Sequence, residues 1–241
     1  MNEKDIENMI EKKNLILIGP PGSGKGTFTQ ELKQFHYESI STGNLLRENL
    51  AANSFIGQEC KDFINSGKLV PDKLIFKLIH EKIKRTLREK TPFVLDGFPQ
   101  SIIQYHYLLR LLEKEDMKGR CCFLEFIIDD EKAINQMISR LFCLKCHQIY
   151  NNVTCPPLKR NTCDKCQCKL VRRSTDNRDD AIKRLKVYRK ETKPILALAK
   201  KNFEILKINS NFGYNVQLYI NFIFHILCTS NNNPENYYDK I

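Results

Sequence analysis

The sequence has no long apolar run, and this absence narrows the class of protein. No stretch approaches the ~20 apolar residues of a membrane-spanning helix, and the first segment, MNEKDIENMIEKK, lacks the apolar core of a secretory signal. Its acids are atypical of a transit peptide, and Asn2 excludes N-myristoylation, which needs glycine at that position. We therefore expect a cytoplasmic protein with no membrane partner, although an organelle reached by other signals stays open.

The composition is that of a globular protein with an excess of basic residues. The chain has 241 residues, 41% hydrophobic and 28% charged, which is enough for one domain with inserted subdomains. The formal net charge is +11, a balance that suits nucleic acid, an anionic membrane or small phosphorylated ligands. Because the basic residues are spread along the chain, we favour a site for small phosphorylated ligands.

Short apolar runs alternate with longer charged segments along most of the chain. The segments between the runs have helical spacing, as in residues 72–88, where Ile75, Ile79 and Ile83 recur at intervals of four. Strands that alternate with helices predict a parallel sheet covered on both faces. The predicted strands are residues 14–19, 93–95, 123–128 and 203–208.

Three segments depart from this alternation. Residues 141–178 are rich in Cys, Pro and Asn, and they predict a small inserted unit. Residues 216–227, VQLYINFIFHIL, predict a closing helix. We expect the polar tail that follows to be frayed.

The first predicted strand leads into GPPGSGKGT, residues 19–27. This stretch fits the phosphate-loop pattern G-x-x-x-x-G-K, with Gly24 and Lys25 in the last two places. Glycines let backbone N–H groups curl around phosphate oxygens, the lysine reaches the outer phosphates, and the following helix directs its positive end at them. The strand before and the helix after favour this interpretation over a simple glycine-rich turn. Gly26 stands where the generic pattern has Ser or Thr, and Thr27 follows.

Three further motifs follow the phosphate loop. They are STGNLLR at 41–47, GKLVPD at 67–72 and VLDGFPQ at 94–100. In order and spacing, the four motifs resemble those of the adenylate kinases, of the nucleoside monophosphate kinase family, over about residues 15–208. The resemblance implies a phosphotransferase with the reaction NTP + AMP = NDP + ADP. It also implies a monomer whose partners are small nucleotides and not nucleic acid.

The same resemblance implies an architecture. The fold class is α/β: a P-loop NTPase fold with a parallel five-stranded sheet, helices on both faces, and two inserted subdomains. The implied units are an N-terminal extension (1–13), a core (14–140 and 179–228), an acceptor-binding subdomain (41–70), a zinc-binding lid (141–178) and a C-terminal tail (229–241).

On the donor side, the resemblance assigns catalysis to five charged residues, Lys25, Asp96, Arg140, Arg173 and Arg184. Arg140 is expected to meet the donor phosphates, and Arg173 and Arg184 are expected to close on the transferring phosphate. Asp96, at a strand end, is expected to hold the Mg²⁺ that accompanies the nucleotide. The expected donor-binding residues are Gly22, Ser23, Gly24, Lys25, Gly26, Thr27, Gln136, Arg140 and Tyr150.

On the acceptor side, the resemblance places Arg47 on the phosphate of AMP and Gln104 on the adenine edge. That phosphate is already ionised, with a second pKa of about 6, so transfer needs no general base and we assign no role to any of the five histidines. The expected AMP-binding residues are Thr42, Arg47, Lys68, Leu69, Val70, Gly97, Gln100, Gln104, Arg173 and Arg184.

The sequence departs from the family pattern at several positions. Gln100 replaces an arginine that binds the AMP phosphate, Asn44 replaces an aspartate, and Gln136 replaces the arginine that stacks on the donor base. A charge-assisted hydrogen bond is worth about 1.5–3 kcal/mol, so the loss at Gln100 predicts roughly ten- to hundredfold weaker AMP use unless another cation, such as Arg110, compensates. Two further departures are Leu141, for a second lid arginine, and Thr175, for an acid.

The ten cysteines predict a metal site because disulfides are rare inside cells. Cys143 and Cys146 form one C-x2-C pair, Cys163 and Cys166 form another, and sixteen residues separate the pairs. This spacing is typical of a structural, four-thiolate Zn²⁺ site, as in a zinc ribbon. Cys168 offers an alternative to Cys166 in a shifted register.

Three alternatives remain at this stage. The donor is ATP or GTP: a glutamine at position 136 loses a stacking plane but can hydrogen-bond a base edge. A second class is a regulatory nucleotide-binding protein with weak or no turnover, motivated by the departures at positions 44, 100 and 136. Nucleic-acid binding through the zinc ribbon is disfavoured, since only Tyr150 and Phe142 supply aromatic faces there.

Overall fold

The structure is a computed structural model that describes residues 13–89 and 91–212. The predicted N-terminal extension, apart from residue 13, lies outside the described residues. The predicted closing helix at 216–227 and the tail at 229–241 also lie outside them.

Within the described residues, eight strands form two sheets. Five of them, in the order β2-β3-β1-β4-β8 and all parallel, make the central sheet, which confirms the predicted fold class. The other three form an antiparallel sheet in the order β6-β5-β7. The strands are β1 (Asn14–Ile18), β2 (Glu38–Ser41), β3 (Phe93–Asp96), β4 (Cys121–Ile127), β5 (Arg140–Cys143), β6 (Ile149–Asn151), β7 (Leu170–Val171) and β8 (Glu204–Asn209).

The strand β2 was not predicted from the sequence. Its four residues, ESIS, contain one apolar side chain, Ile40, which is fully buried. As an edge strand paired only with β3, it needs little apolar surface of its own, so the hydrophobic pattern does not reveal it.

The helices flank the central sheet and extend from it. Residues Asp72–Arg88 form a helix with the predicted bounds, and Ile75, Ile79 and Ile83 are buried on its inner face. The α-helices are α1 (Lys25–Glu31), α2 (Thr42–Ala51), α3 (Phe55–Ser66), α4 (Asp72–Arg88), α5 (Ile102–Lys114), α6 (Asp130–Ile138), α7 (Arg178–Val187) and α8 (Ile195–Ala199). A five-residue π-helical segment, Tyr188–Thr192, follows α7.

The core has a layer on each face of the central sheet. In β1, Leu15 and Leu17 pack in one apolar cluster, while Ile16 and Ile18 pack in the other. Successive strand residues point to opposite faces, and both faces are covered by helices. A continuous apolar strand is therefore the sequence signature of a central strand in this fold.

The carboxyl ends of the parallel strands position the candidate site. The phosphate loop follows β1, the helix α2 begins directly after β2, and Asp96 is the last residue of β3. Ligands of open α/β sheets bind at this edge, because the strand ends and the helix starts meet there. Three segments distant in sequence are therefore brought together.

The inserted unit predicted at 141–178 is built on the small antiparallel sheet. Its core contains Leu141, Tyr150 and Leu170, together with Cys143 and Cys163. Leu141, which replaces the second arginine of the family pattern, is therefore a core residue of this inserted unit, which keeps the name lid from its predicted role.

No helix in the described ranges is long and apolar enough to cross a membrane.

Candidate active site

The phosphate loop has the backbone that the glycine pattern predicts. Gly22 and Gly24 have φ of 86° and 87°, a left-handed region that other residues rarely adopt. A Cβ on Gly22 would also lie 2.3 Å from the carbonyl oxygen of Ala133 in α6. The loop therefore packs directly on the helix that carries Gln136.

Lys25 lies at the start of α1, folded over the loop. Its Nζ donates hydrogen bonds to the carbonyl oxygens of Gly19 and Pro20, at 2.6 and 2.8 Å, and to Ser23 Oγ at 3.2 Å. Burial lowers the pKa of Lys25 to about 8; the Asp96 carboxylate opposes this shift, and Arg184 and Arg140 add to it. The Lys25 ammonium thus lies near other cations, and a bound anion would stabilise its charged form.

Gly26, which stands where the generic pattern has Ser or Thr, faces the inserted unit. A Cβ at this position would lie 2.8 Å from Ile149 Cδ1, in β6, so a larger residue would require only that the end of the Ile149 side chain move. The lid packs on α1 at this point, and Gln30 Nε2 donates to the His147 carbonyl oxygen while Gln30 Oε1 accepts from Ile149 N.

A cavity of about 760 Å³ lies between the phosphate loop, α2, α6 and the lid. Most of the predicted site residues line it. On the donor side these are Gly22, Ser23, Gly24, Lys25, Gly26, Thr27, Asp96, Gln136, Arg140 and Tyr150, and on the acceptor side they are Thr42, Arg47, Leu69, Gly97, Gln100, Arg173 and Arg184.

Four arginines from three parts of the fold converge on this cavity. Burial, with a smaller contribution from the neighbouring Arg140, lowers the pKa of Arg47 and of Arg184 to about 10. Burial and the same neighbour hold the pKa of Arg173 well below its usual value. Arg47 Nε and Arg173 Nε are buried without hydrogen-bond partners. Buried cations that repel each other and retain unused donors are suited to binding a polyanion.

One buried carboxylate organises two of these arginines. Asp176, with no exposed side-chain surface, accepts a bidentate pair from Arg140: Nε at 2.9 Å from Oδ2, and Nη2 on Oδ1. Arg184 Nη1 lies 3.6 Å from the same Oδ1. Asp176 was not singled out from the sequence. A cluster of arginines needs a counterion, and an acid three residues after Arg173 is the sequence signal that could have identified it.

The acceptor side combines backbone and side-chain contacts. Thr42 Oγ1 donates to the Gly97 carbonyl oxygen at 2.6 Å, which joins the start of α2 to the end of β3. Arg47 Nη2 donates to Asn44 Oδ1. The amide at position 44 therefore keeps the hydrogen bond without adding a negative charge beside Arg47.

Three residues predicted to bind AMP lie outside the cavity wall. Lys68 is exposed, and Val70 is packed in the core. Gln104 is buried, and its side chain is already engaged: Oε1 accepts from Gln100 N, and Nε2 donates to Asp72 Oδ1, both at 2.7 Å. In this arrangement Gln104 holds the loop that carries Gln100.

Gln100 lines the cavity in place of the family arginine. Thr192 Oγ1 donates to its carbonyl oxygen at 2.9 Å, which anchors the backbone. Arg110 does not line the cavity; its Nε donates to the His106 carbonyl oxygen on the exposed side of α5. The structure therefore does not bring Arg110 to the position where it would compensate for the lost arginine.

The four predicted zinc ligands lie together in the lid. The sulfur atoms of Cys143, Cys146, Cys163 and Cys166 are all within 4.8 Å of one another, and the closest pairs are 3.3–3.5 Å apart. Tetrahedral Zn²⁺ with Zn–S bonds of about 2.3 Å places its sulfurs about 3.8 Å apart, so the four thiols fit this ion. The alternative with Cys168 is not favoured, because this residue packs beside the cluster and not in it.

Several lid contacts were not predicted from the sequence. His147 Nε2 lies 3.3 Å from Glu48 Oε1, which joins the lid to α2. Phe142 packs against two of the arginines, and Asn151 binds Gln136. Each of these contacts joins separate elements of the fold, and no local sequence pattern encodes it.

Comparison with known proteins gives a consistent result. A family model described as adenylate kinase matches residues 17–203. A protein of Thermoanaerobacter sp. named adenylate kinase is 35% identical over 198 residues, covering 82% of this chain and 90% of the relative. Proteins with the same name from Borreliella burgdorferi and Fervidobacterium nodosum are 37% identical over 183 residues (76% and 83% covered) and 32% identical over 217 residues (89% and 97% covered).

Proposed function

Because this chain belongs to the adenylate kinase family, and so is a nucleoside monophosphate kinase, we propose that it transfers the γ-phosphoryl group of ATP or GTP to AMP. The observation that carries this proposal is the convergence of Lys25 and four arginines on one cavity. One buried carboxylate, that of Asp176, neutralises only part of their positive charge. A nucleoside triphosphate and AMP together supply four phosphate groups to such a site.

The proposed chemistry is positioning and charge stabilisation. The AMP phosphate is ionised at neutral pH, so it attacks without losing a proton to the protein. Lys25 and Arg140 would hold the donor phosphates, Arg47 would hold the AMP phosphate, and Arg173 and Arg184 would neutralise charge on the group in transfer. Phosphate oxygens between them would relieve the repulsion that Asp176 leaves uncompensated.

Asp96 would hold the Mg²⁺ that adenylate kinases use with the nucleotide. Its carboxylate is at the end of β3, in the cavity, and its charge acts on Lys25. This fits a hard, oxygen-preferring cation next to the phosphate loop, and Mg²⁺ when bound neutralises charge on the donor phosphates.

The lid would exclude water so that AMP, and not water, accepts the phosphoryl group. It contacts α1, where Ile149 N donates to Gln30, and it contacts α2, where His147 lies beside Glu48. We propose the four-cysteine site as a structural Zn²⁺ site that stiffens this lid, with no open position for chemistry.

The test is nucleotide analysis after the pure protein is incubated with Mg²⁺, AMP and either ATP or GTP. We expect ADP from AMP with at least one donor, and much less product when CMP, GMP or UMP replaces AMP. Arg173→Lys should lower turnover strongly, because it loses the forked donor at the phosphate. The matched control is Arg172→Lys, at the exposed neighbouring position. Nucleotide binding without turnover by the wild type would instead support the regulatory alternative.

A further inference from the structure

Two side-chain amides form a pair in the donor-side wall of the cavity. Asn151, at the end of β6, donates through Nδ2 to Gln136 Oε1 at 2.8 Å and to the Gln136 carbonyl oxygen at 3.3 Å. Both residues line the cavity, and Asn151 is otherwise buried. The pair joins α6 to the lid.

The backbone determines which way round these amides lie. The Val153 and Thr154 N–H groups donate to Asn151 Oδ1, at 2.8 and 3.0 Å. An amide oxygen, and not an amide nitrogen, must face these two donors, so Asn151 must turn its NH₂ group to Gln136. Gln136 must then present its oxygen to Asn151.

The consequence is that the Gln136 NH₂ group is left for another partner. No residue in the ranges 13–89 and 91–212 accepts a hydrogen bond from Gln136 Nε2. Unlike a freely rotating glutamine, which offers an oxygen or a nitrogen equally well, this one presents a hydrogen-bond donor only.

The position of Gln136 is on the donor side of the phosphate loop. It lies three residues after Ala133, one turn along α6, and Ala133 is the residue on which Gly22 of the loop packs. Gln136 lines the same cavity as that loop, and the family resemblance assigns position 136 to the donor base, so we expect the base of a nucleotide held by the loop to lie near Gln136.

We infer that Asn151 is a positioning residue for donor specificity: it fixes Gln136 as a hydrogen-bond donor that selects guanine over adenine. This inference rests on the proposed function. Guanine presents two adjacent acceptors, O6 and N7, whereas adenine presents its N6 amino group beside N7. An NH₂ group fixed opposite the guanine O6 makes a hydrogen bond, but opposite the adenine N6 it leaves two donors facing each other. A fixed polar group of this kind discriminates by roughly ten- to hundredfold.

The decisive variant is Asn151→Asp, which has nearly the same shape. One carboxylate oxygen still accepts from Val153 N and Thr154 N, but the other now faces Gln136. The Gln136 amide should therefore turn round, donate to Asp at position 151, and present its oxygen to the base. The same site would then accept from the adenine N6 group.

The experiment measures kcat/KM for GTP and for ATP at saturating AMP. We expect the wild type to prefer GTP roughly ten- to hundredfold, and Asn151→Asp to shift the GTP/ATP ratio at least tenfold toward ATP with the KM for AMP unchanged. The added negative charge repels both triphosphates alike, so it cancels in the ratio. The matched control is Asn152→Asp, an exposed neighbour outside the cavity wall, which should leave the ratio unchanged.

A wild type that prefers ATP or neither donor, or an equal shift in both variants, overturns the inference. If Asn151→Asp does not fold, Gln136→Glu supplies the same test, since its free carboxylate oxygen is also an acceptor. Calorimetric Kd values for GTP and ATP without AMP give the base preference even if no turnover occurs. Absence of turnover then counts against the proposed function, while the Kd ratio decides this inference separately.

Discussion

The guanidinium of Arg47, in the helix α2, lies 5.7 Å from the ring centroid of Phe142, in the lid strand β5. Arg173 lies 5.2 Å from the same ring. Both distances are within the range of a cation–π interaction, which is worth about 0.5–2 kcal/mol. The Phe142 ring thus contacts both arginines, which we propose to bind phosphate, and these contacts offset part of their mutual repulsion.

We predict that Phe142→Leu weakens AMP use. Without the ring, the two guanidinium groups should separate, and the KM for AMP should rise roughly three- to thirtyfold in initial-rate measurements. Phe142→Tyr keeps the ring and should stay within about threefold of the wild type. Equal effects in the two variants would show that the ring face is not the important feature.

We predict that Asp176→Asn destabilises the ligand-free protein. The carboxylate is fully buried between Arg140 and Arg184, and removing one partner of a buried ion pair costs about 3–5 kcal/mol. Thermal unfolding should show a lower Tm, and saturating ATP with AMP should recover much of the loss, because phosphates supply the missing negative charge. Asp179→Asn, at an exposed position of α7, is the control and should leave Tm nearly unchanged.

Donor binding should become weaker as the pH rises above about 8. The pKa of Lys25 is lowered to about 8, so the free protein carries the charged ammonium below that pH and loses it above. A bound triphosphate favours the charged form, so binding at higher pH must take up a proton, and affinity should fall up to about tenfold per pH unit. Calorimetry between pH 7.5 and 9.5, in two buffers of different ionisation enthalpy, measures both effects.

The control for this titration is Lys25→Arg, because arginine stays protonated throughout that range. Its affinity for the donor is expected to differ from that of the wild type, but its pH dependence above 8 should be lost. An unchanged slope in Lys25→Arg would assign the titration to another group.

The departures at positions 44 and 100 should compensate for each other. Relative to the family pattern, Asn44 removes a negative charge beside Arg47 and Gln100 removes a positive charge, so the net charge of the proposed acceptor site is unchanged. We predict that Gln100→Arg raises kcat/KM for AMP roughly ten- to hundredfold, since it adds a charged donor.

Asn44→Asp alone should lower kcat/KM for AMP, because its carboxylate competes with the AMP phosphate for Arg47. In the double variant the two effects should largely offset each other. The four proteins form a double-mutant cycle. An unchanged kcat/KM for AMP in Gln100→Arg would contradict the prediction.

The lid cysteines should bind one Zn²⁺ per chain. Metal analysis of the purified protein, and thermal unfolding before and after chelation, should show one equivalent of zinc and a lower Tm once it is removed. Cys143→Ser should lose the metal, whereas Cys155→Ser, at an exposed cysteine outside the cluster, should retain it. Retention of a full equivalent by Cys143→Ser would rule out the proposed ligand set.

Local features of the chain determined much of this molecule by themselves. The first strand (predicted at 14–19, observed at Asn14–Ile18), the helix at 72–88 and the phosphate loop were predicted because each depends on contiguous residues. The signals are an apolar run buried on two faces, a period of four, and glycines at fixed places. The C-x2-C pairs likewise specified their own cluster, since metal geometry restricts the spacing of ligands.

Only the tertiary structure determined the edge strand β2 and the contacts between side chains that complete the site. The edge strand β2 is set by pairing with β3 and not by its own apolar content. Three contacts depend on which elements meet across the cavity. Asp176 is the counterion of Arg140 and Arg184, the Phe142 ring contacts Arg47 and Arg173, and Asn151 binds Gln136. Such contacts are long-range: their energy comes from burial and from charges brought together by the fold, and a one-dimensional pattern records neither.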